Sequence, residues 1–151
     1  MISDHSLVVV ATYNERENIE ALVTQIPDNA GGCRVLVIDD SSPDGTGECA
    51  HRMASQDKRI ELLERPAKLG PRSAYLAGFR HALAHDFDRV ITMDADFSHH
   101  PRHLPAILAC PGEPGVDMVI GCRYIKDGGV SAGRSGAGSS ASAPTPLPVR
   151  C

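Results

Sequence analysis

The sequence predicts an α/β domain with a doubly wound, mainly parallel sheet, and three observations carry that prediction. Short runs of apolar, often β-branched residues recur along the chain, and segments with the periodicity of amphipathic helices separate them. Strands that are apolar throughout are typical of parallel sheets covered by helices on both faces. Polar clusters follow directly after these runs, at the strand ends where such sheets bind ligands.

The predicted elements alternate between strand and helix as far as residue 124. Apolar residues recur at i, i+3, i+4 and i+7 between Ile19 and Ile26, which is the spacing of one helix face, and Pro27 is expected to end that helix. Pro71 and Pro101 suit the first turns of two later helices. In chain order, strands are predicted at residues 6–12, 34–40, 59–65, 89–96 and 117–124, and helices at residues 14–27, 47–58, 71–86 and 101–110.

The composition of the chain disfavours several classes of protein, namely nucleic-acid-binding, disulfide-stabilised and membrane-spanning proteins. The 151 residues carry a formal net charge of −4, which disfavours general nucleic-acid binding because that binding rests on clustered Lys and Arg. Five cysteines, an odd number without a CxxC pair, are typical of reduced thiols. The sequence shows neither a signal peptide nor an apolar run long enough to span a bilayer, so we expect a cytoplasmic protein that contacts a membrane only peripherally.

Residues 1–129 and 130–151 differ in character. The first range carries the predicted strands and helices, and it is expected to form one domain. The second range consists mainly of Gly, Ser, Ala and Pro without hydrophobic periodicity, and we expect it to be disordered.

Two aspartates, Asp94 and Asp96, end the fourth predicted strand. Side chains two residues apart can converge in a bend, and two close carboxylates repel each other unless a cation lies between them. Mg²⁺ and Mn²⁺ favour oxygen ligands and typically bind through a few carboxylates together with substrate phosphates. The pair therefore indicates a divalent ion that joins Asp96, with Asp94 as a second candidate, to a diphosphate. The alternative is that the aspartates cap the turn or the next helix.

The other strand ends offer further candidates, each with a structural alternative. Of the two adjacent aspartates that end the second predicted strand, at positions 39 and 40, only one can face the cleft, where it can accept hydrogen bonds from a ribose or a base. The alternative is an Asx-turn into the SSPDG stretch. Glu15 can face the same ligand or form a capping box with Thr12, and Tyr13 can stack on a base or simply pack. Arg123, at the end of the fifth predicted strand, is placed to clamp a phosphate.

Nearby basic and histidine side chains are weaker candidates. Arg65 and Arg72 flank the start of the third predicted helix, where anions are favoured, but solvated surface charge is the preferred interpretation for both. His99 and His103 are spaced i, i+4, yet no acidic or cysteine partner completes a zinc motif, and Pro101 turns the chain between them. We interpret the histidines as part of a helix N-terminus that lines a cleft.

As an ordered set, five stretches resemble the family 2 glycosyltransferases of the GT-A fold, nearest to the catalytic domains of the dolichyl-phosphate (polyprenyl-phosphate) mannosyltransferases. The stretches are TYNERENI, VLVIDDSSPDGTG, RPAKLG with AYLAGF, MDADFSHHP, and VIGCRY with GG, and the likeness extends over about residues 7 to 129. The resemblance implies transfer of mannose from GDP-mannose to a polyprenyl phosphate, with inversion and with Mg²⁺ or Mn²⁺. The partners it implies are therefore a nucleotide-sugar donor and a lipid acceptor at a membrane surface.

The resemblance also implies roles for single residues. It places the nucleotide sugar among Ala11, Tyr13, Glu15, Ile38, Asp40, Asp94, Ala95 and Asp96. It makes Asp96 the direct metal ligand, with Ser98 in the position of a second ligand and Asp94 as a possible third. Asp94, Asp96 and Arg123 take the catalytic roles. The acceptor phosphate is already anionic at neutral pH and needs no protein base, which agrees with the lack of an obvious base among the motifs.

The sequence departs from the family pattern at several places. Ala11 stands where proline is usual, Pro71 replaces part of a more glycine-rich loop, and Cys122 stands where serine is common. After Gly129 the family pattern stops, so we expect partly retained donor binding and weak or absent transfer. Three alternatives stay open: a family 2 transferase that uses UDP-glucose or a related donor, an inactive fragment that retains nucleotide binding, and, less favoured, a receiver-like signalling domain. The oligomeric state and a membrane partner subunit are not predicted.

Overall fold

Strands and helices alternate along the chain as the sequence predicts. The computed structural model describes residues 5–110 and 117–122. In chain order its elements are β1 (Ser6–Thr12), α1 (Ile19–Asn29), β2 (Arg34–Asp39), α2 (Thr46–Gln56), β3 (Ile60–Glu64), α3 (Pro71–Ala84), β4 (Arg89–Asp94), a turn of 3₁₀ helix (Pro101–His103) and α4 (Leu104–Ala109). The strands form one parallel sheet in the order β3-β2-β1-β4. The predicted fold class is confirmed.

The core is built on both faces of the two central strands, β1 and β2, whose apolar side chains are almost all fully buried. α3 covers one face, where a buried cluster joins Leu7, Val9, Leu36, Ile38, Ala74 and Ala82. The close approach of α3 requires Gly78, because a Cβ there would lie 2.6 Å from Cγ1 of Val9. The intervening residues of each strand point to the opposite face, and the general rule that parallel crossovers are right-handed assigns α1 and α2 to that face.

The strand order reverses beside β1. The first crossover leads from β1 to β2 on one side, whereas α3 leads the chain back to β4 on the other side. In the parallel register, Ala11 stands opposite Asp94 of β4, and Thr12 stands opposite Asp39 of β2. Open α/β sheets bind ligands at the carboxyl ends of their strands beside such a reversal. The strand ends that carry the predicted site residues are therefore neighbours in space.

Pro27 does not end α1, so that prediction is wrong. The helix continues to Asn29 and contains the proline in its last turn. There the missing N–H costs one backbone hydrogen bond, while the N–H of Ala30 still bonds the carbonyl of Ile26 at 2.9 Å. The proline ring is buried, so packing offsets the lost bond.

The fifth predicted strand is wrong for the part of it that the structure describes. Residues 117–122 adopt neither helix nor strand. The side chains of Met118 and Ile120 are 76% and 69% exposed. An apolar run becomes a strand only when a neighbouring strand pairs with it, and that tertiary contact is not encoded in the run itself. Arg123 and Tyr124, which end the predicted strand, lie outside the described residues.

β4 is less buried than its apolar sequence predicts. Among its six residues only Met93 is buried, and Thr92 is exposed. The reason is its position, since within the described sheet β4 has β1 on one side and no strand on the other.

The chain divides into two compact units at residue 101. The first unit contains the sheet with α1 to α3, and the second contains α4, whose Leu104 and Leu108 are buried. The predicted boundary between residues 129 and 130 lies outside the described residues. No helix in the described ranges has the length and apolar character needed to cross a membrane.

Candidate functional site

A cavity of about 200 Å³ lies at the carboxyl end of β1, next to the start of α3. Four residues that were predicted to surround a nucleotide sugar line it, namely Ala11, Tyr13, Glu15 and Asp40. The remaining lining residues are Thr12, Lys68, Gly70, Pro71 and Ala74. The sequence signal for several of these is the KLGP stretch at the start of a helix. Ile38, which was also predicted here, has its side chain in the core cluster under α3 and does not line the cavity.

A larger cleft of about 300 Å³ lies beside α1, α2 and the start of β3. Its lining includes Glu20, Asp28, Asp57 and Arg59, and it contains none of the predicted site residues. Position at the strand reversal marks the ligand site in this fold more reliably than size does. We therefore take the smaller cavity as the candidate site.

Tyr13 and Glu15 occupy the loop that follows β1. The ammonium of Lys68 lies 4.0 Å from the centre of the Tyr13 ring, within the range of a cation–π interaction. The Glu15 carboxylate accepts a hydrogen bond from Asn18 at 3.0 Å. Thr12 does not form the capping box suggested as an alternative, because α1 begins only at Ile19 and the Thr12 hydroxyl donates to Asp39.

Asp39 and Asp40 end β2 and hold different parts of the fold. The Asp39 carboxylate accepts hydrogen bonds from the Thr12 hydroxyl at 2.8 Å and from both the backbone N–H and the hydroxyl of Ser42. Asp39 therefore serves the turn after β2. The Asp40 carboxylate faces the other way, accepting from the backbone N–H groups of Leu69 and Gly70, each at 2.9 Å.

Arg65 is not a solvated surface charge, and that interpretation is wrong. Its side chain is 9% exposed and pairs with the Asp40 carboxylate, with Nε 2.5 Å from Oδ1. The guanidinium also donates to the Ser73 hydroxyl at 2.8 Å and to the Gly70 carbonyl at 3.0 Å. The buried pair therefore fixes the loop between β3 and α3, which borders the cavity. Arg72, in contrast, is exposed as predicted.

Strained turns lie at the same edge of the sheet. Three non-glycine residues with positive φ come shortly after β1, β2 and β4: Asn14 at 59°, Ser41 at 54° and Phe97 at 62°. This region of φ is costly for a side chain as bulky as that of Phe97. Such strain persists only where the surrounding structure holds it, and it clusters at functional sites.

Asp94 ends β4, and its side chain is half exposed. The Tyr75 hydroxyl lies 2.9 Å from Asp94 Oδ1 and 3.2 Å from the Met93 carbonyl. Burial, and after it the hydrogen bond with the Asp94 carboxylate, raises the pKa of Tyr75, so the phenol keeps its proton. The backbone N–H of Asp94 donates to Nδ1 of His99 at 3.2 Å, which leaves the imidazole hydrogen on Nε2.

Asp96 follows in the next turn, after the buried Ala95. Its Oδ1 accepts the backbone N–H of Ser98 at 2.9 Å. Hydrogen bonds from the Ser98 hydroxyl and then from its backbone N–H hold the pKa of Asp96 below its ordinary value. Asp96 is therefore an anion at neutral pH, with the Ser98 side chain beside it.

These residues fit a hard divalent cation. Asp94, Asp96 and Ser98 provide the oxygen donors that Mg²⁺ and Mn²⁺ prefer, on a partly exposed edge. Within residues 5–110 and 117–122, no group of three or more His, Cys, Asp or Glu side chains is arranged so that it could bind a metal ion by itself. Mg²⁺ in particular is usually bound through one or two carboxylates together with water and substrate phosphates. Arg123, the predicted phosphate clamp, lies outside the described residues.

The fold and this site define an α/β domain with a ligand crevice and a carboxylate-bearing edge at one strand reversal. Residues 7–139 match the model of the family described as glycosyl transferase family 2, and the chain belongs to that family. A polyprenol monophosphomannose synthase of Mycolicibacterium smegmatis is 40% identical over 129 residues, which are 85% of this chain and 48% of that protein. An undecaprenyl-phosphate mannosyltransferase of Micrococcus luteus is 40% identical over 122 residues, 81% of this chain and 49% of that protein.

A solved structure shares the fold. The mannosyltransferase of Pyrobaculum calidifontis, in complex with GDP-Man and Mn²⁺, superposes with a TM-score of 0.61 at 26% sequence identity. The match covers 74% of this chain and 33% of that structure. The chain spans about half the length of the curated relatives it matches.

Proposed function

We propose that the described residues form the donor-binding part of a mannosyltransferase that transfers mannose from GDP-mannose to a polyprenyl phosphate. The observation that carries the proposal is the cavity at the end of β1, with the Asp94–Asp96 edge on the neighbouring strand. The 40% identity to two polyprenyl-phosphate mannosyltransferases supports the sugar and the acceptor. The GDP-Man and Mn²⁺ of the Pyrobaculum calidifontis enzyme support the donor and the cofactor. Because the chain spans about half of its relatives, transfer is proposed for the whole protein.

The proposed site has two parts, one that binds the nucleoside and one that binds the divalent ion. Tyr13, Glu15 and the loop held by Asp40 border the cavity, where the nucleoside binds. Asp96 and Ser98, with Asp94 beside them, hold the divalent ion. When bound, that ion neutralises the charge that builds up on the departing diphosphate. Ala95, between the two aspartates, has a buried side chain.

The acceptor needs orientation more than activation. A polyprenyl phosphate is an anion at neutral pH and is itself the nucleophile, so no side chain has to remove a proton from it. Attack in line with the leaving diphosphate inverts the anomeric centre. Arg123 is proposed to orient a phosphate by its guanidinium fork. Since the acceptor is a membrane lipid, the protein is proposed to act peripherally at the membrane surface.

Thermal unfolding of the 151-residue chain with GDP and Mn²⁺ tests donor binding. Saturation at 100 times the dissociation constant adds about 2.7 kcal/mol to stability, which raises the melting temperature by several degrees. An unchanged melting temperature at high ligand concentration would contradict donor binding by this chain.

Competition between GDP and UDP tests the donor base. We expect UDP with Mn²⁺ to raise the melting temperature less than GDP does at equal concentration. A larger effect of UDP would favour the alternative, a family 2 transferase that uses UDP-glucose or a related donor.

A further inference from the structure

We infer that Tyr75 is a positioning residue of the donor site, whose hydroxyl fixes the Asp94 carboxylate and links it through α3 to the cavity. The inference rests on the proposed function, because it deepens the account of the same site. Tyr75 lies in the AYLAGF stretch of the sequence, but that stretch assigns it no role of its own, and the role emerges from the packing of α3.

The hydroxyl of Tyr75 is held more firmly than the carboxylate that it meets. The Tyr75 ring packs against the core cluster under α3, which limits its two side-chain torsions. Asp94 has a half-exposed side chain at a strand end, where several rotamers are open to it. The hydrogen bond of 2.9 Å between them therefore selects one orientation of the carboxylate. The Met93 carbonyl, 3.2 Å from the same hydroxyl, anchors the phenol to the backbone of β4.

α3 joins this contact to the cavity. Ala74, the residue before Tyr75, lines the cavity, and so does Pro71 in the first turn of the helix. The loop before the helix is tied to Asp40, and Gly78 presses the helix against Val9 of β1. α3 is thus held at its start by the loop and further along by the contact with Val9. We infer that this fixes the distance between the cavity and the Asp94 carboxylate before any ligand binds.

Asp94 and Asp96 are held by hydrogen bonds from different parts of the structure. Asp94 is held by Tyr75, a residue 19 positions earlier on another element. Asp96 makes its hydrogen bond within its own turn, to Ser98. Removing the Tyr75 hydroxyl therefore disturbs Asp94 while it leaves the Asp96 turn intact. The expected consequence is a loss confined to the metal-dependent part of nucleotide affinity.

The test is calorimetric titration of GDP into the 151-residue chain, once with Mn²⁺ and once with EDTA, for wild type and Tyr75→Phe. We expect the gain in affinity from Mn²⁺ to fall about tenfold in the variant, as for a lost hydrogen bond to a charged group. The affinity in EDTA is expected to stay within about twofold, since the cavity lining is unchanged. The matched control is Ser55→Ala, which removes an exposed α2 hydroxyl bonded to the Arg52 carbonyl and should leave both affinities unchanged.

A purely structural role for Tyr75 predicts a different outcome. If the hydroxyl only stabilises β4, Tyr75→Phe lowers the melting temperature and leaves the Mn²⁺-dependent gain as in wild type, which would overturn the inference alone. Introducing Tyr75→Phe into an Asp94→Ala variant further distinguishes the positioning role of Tyr75 from a purely structural one. A positioning role through Asp94 predicts that Tyr75→Phe then changes the Mn²⁺-dependent gain less than twofold, and a full tenfold loss there contradicts it. A wild-type chain that binds no GDP would overturn the proposed function, and the inference with it.

Discussion

Two pairs of aspartates end two strands of the same sheet, and their surroundings differ. Asp39 and Asp40 at the end of β2 are 2% and 4% exposed, and their oxygens accept hydrogen bonds from Thr12, Ser42, Arg65, Leu69 and Gly70. Asp94 and Asp96 at the end of β4 are exposed and have fewer partners within the protein. The comparison indicates that the oxygens of the first pair are used mainly to hold the loops around the cavity. The oxygens of the second pair accept fewer hydrogen bonds from the protein and are more accessible to a ligand.

The largest effect is expected from Asp40→Ala, which should lower the free energy of unfolding by about 3–5 kcal/mol. The substitution leaves the buried Arg65 guanidinium without its counter-ion, and it removes the acceptor of two backbone N–H groups. Urea unfolding at neutral pH measures the loss. The control is Asp94→Ala, which removes an exposed carboxylate and should cost less than about 1 kcal/mol. Equal losses for the two variants would refute the contrast between the pairs.

The next effect falls on binding. Asp96→Asn should weaken GDP binding in Mn²⁺ about 100-fold while it leaves the urea midpoint nearly unchanged, because a neutral amide is a poor ligand for a hard cation. Isothermal calorimetry measures the affinity. Asp88→Asn, an exposed change just before the amino end of β4, is the matched control and should bind as wild type. Wild-type affinity in Asp96→Asn would remove this residue from the site.

A smaller effect tests how closely α3 is seated on β1. Gly78→Ala is expected to destabilise the fold by about 1–3 kcal/mol, because the new methyl group overlaps Val9 in a packed core. Gly31→Ala is the control and should change stability by less than about 0.5 kcal/mol, because no atom beyond Gly31 and its two chain neighbours lies within 4 Å of the added Cβ. Thermal unfolding of both variants measures the two stability changes. If Gly78→Ala does not change the stability, α3 lies further from the sheet than described.

The smallest effect concerns pH. Since hydrogen bonds from Ser98 lower the pKa of Asp96 in the folded protein, the ionised form is favoured by folding. Its contribution to stability is present above the ordinary pKa and disappears as the pH falls through the lower, folded value. An NMR titration of the carboxyl carbon should give a midpoint below 3.8, the ordinary value, and Ser98→Ala should move it upward. A wild-type midpoint at or above 3.8 would contradict the hydrogen bonds that define the turn.

The sequence predicts the four strands of the sheet well because each run carries its own evidence. A continuous apolar run such as the one before Asp39 indicates a parallel strand, and polar residues after it mark the ligand edge. This reasoning placed Tyr13, Asp40 and Asp94 at one edge without knowledge of the strand order. Local periodicity is enough for such predictions, since it does not depend on which strands are neighbours.

Apart from Pro27, which lies inside α1, the errors concern contacts between distant parts of the chain. The burial of Arg65 depends on Asp40, 25 residues earlier, and no local pattern shows that the two meet. The role inferred for Tyr75 likewise depends on the packing of α3 beside β4. Residues 117–122 have the composition of a strand, but the described residues provide no partner for it.

The most direct test of the account is to locate Mn²⁺ by paramagnetic NMR in the 151-residue chain with GDP. Added Mn²⁺ should broaden the amide signals of Asp94, Asp96 and Ser98 first, and that of Tyr13 next. The signals of Asp57 and Arg59, beside the larger cleft, should stay sharp. Broadening centred on that cleft, or no selective broadening at all, would contradict a metal-dependent donor site at the end of β4.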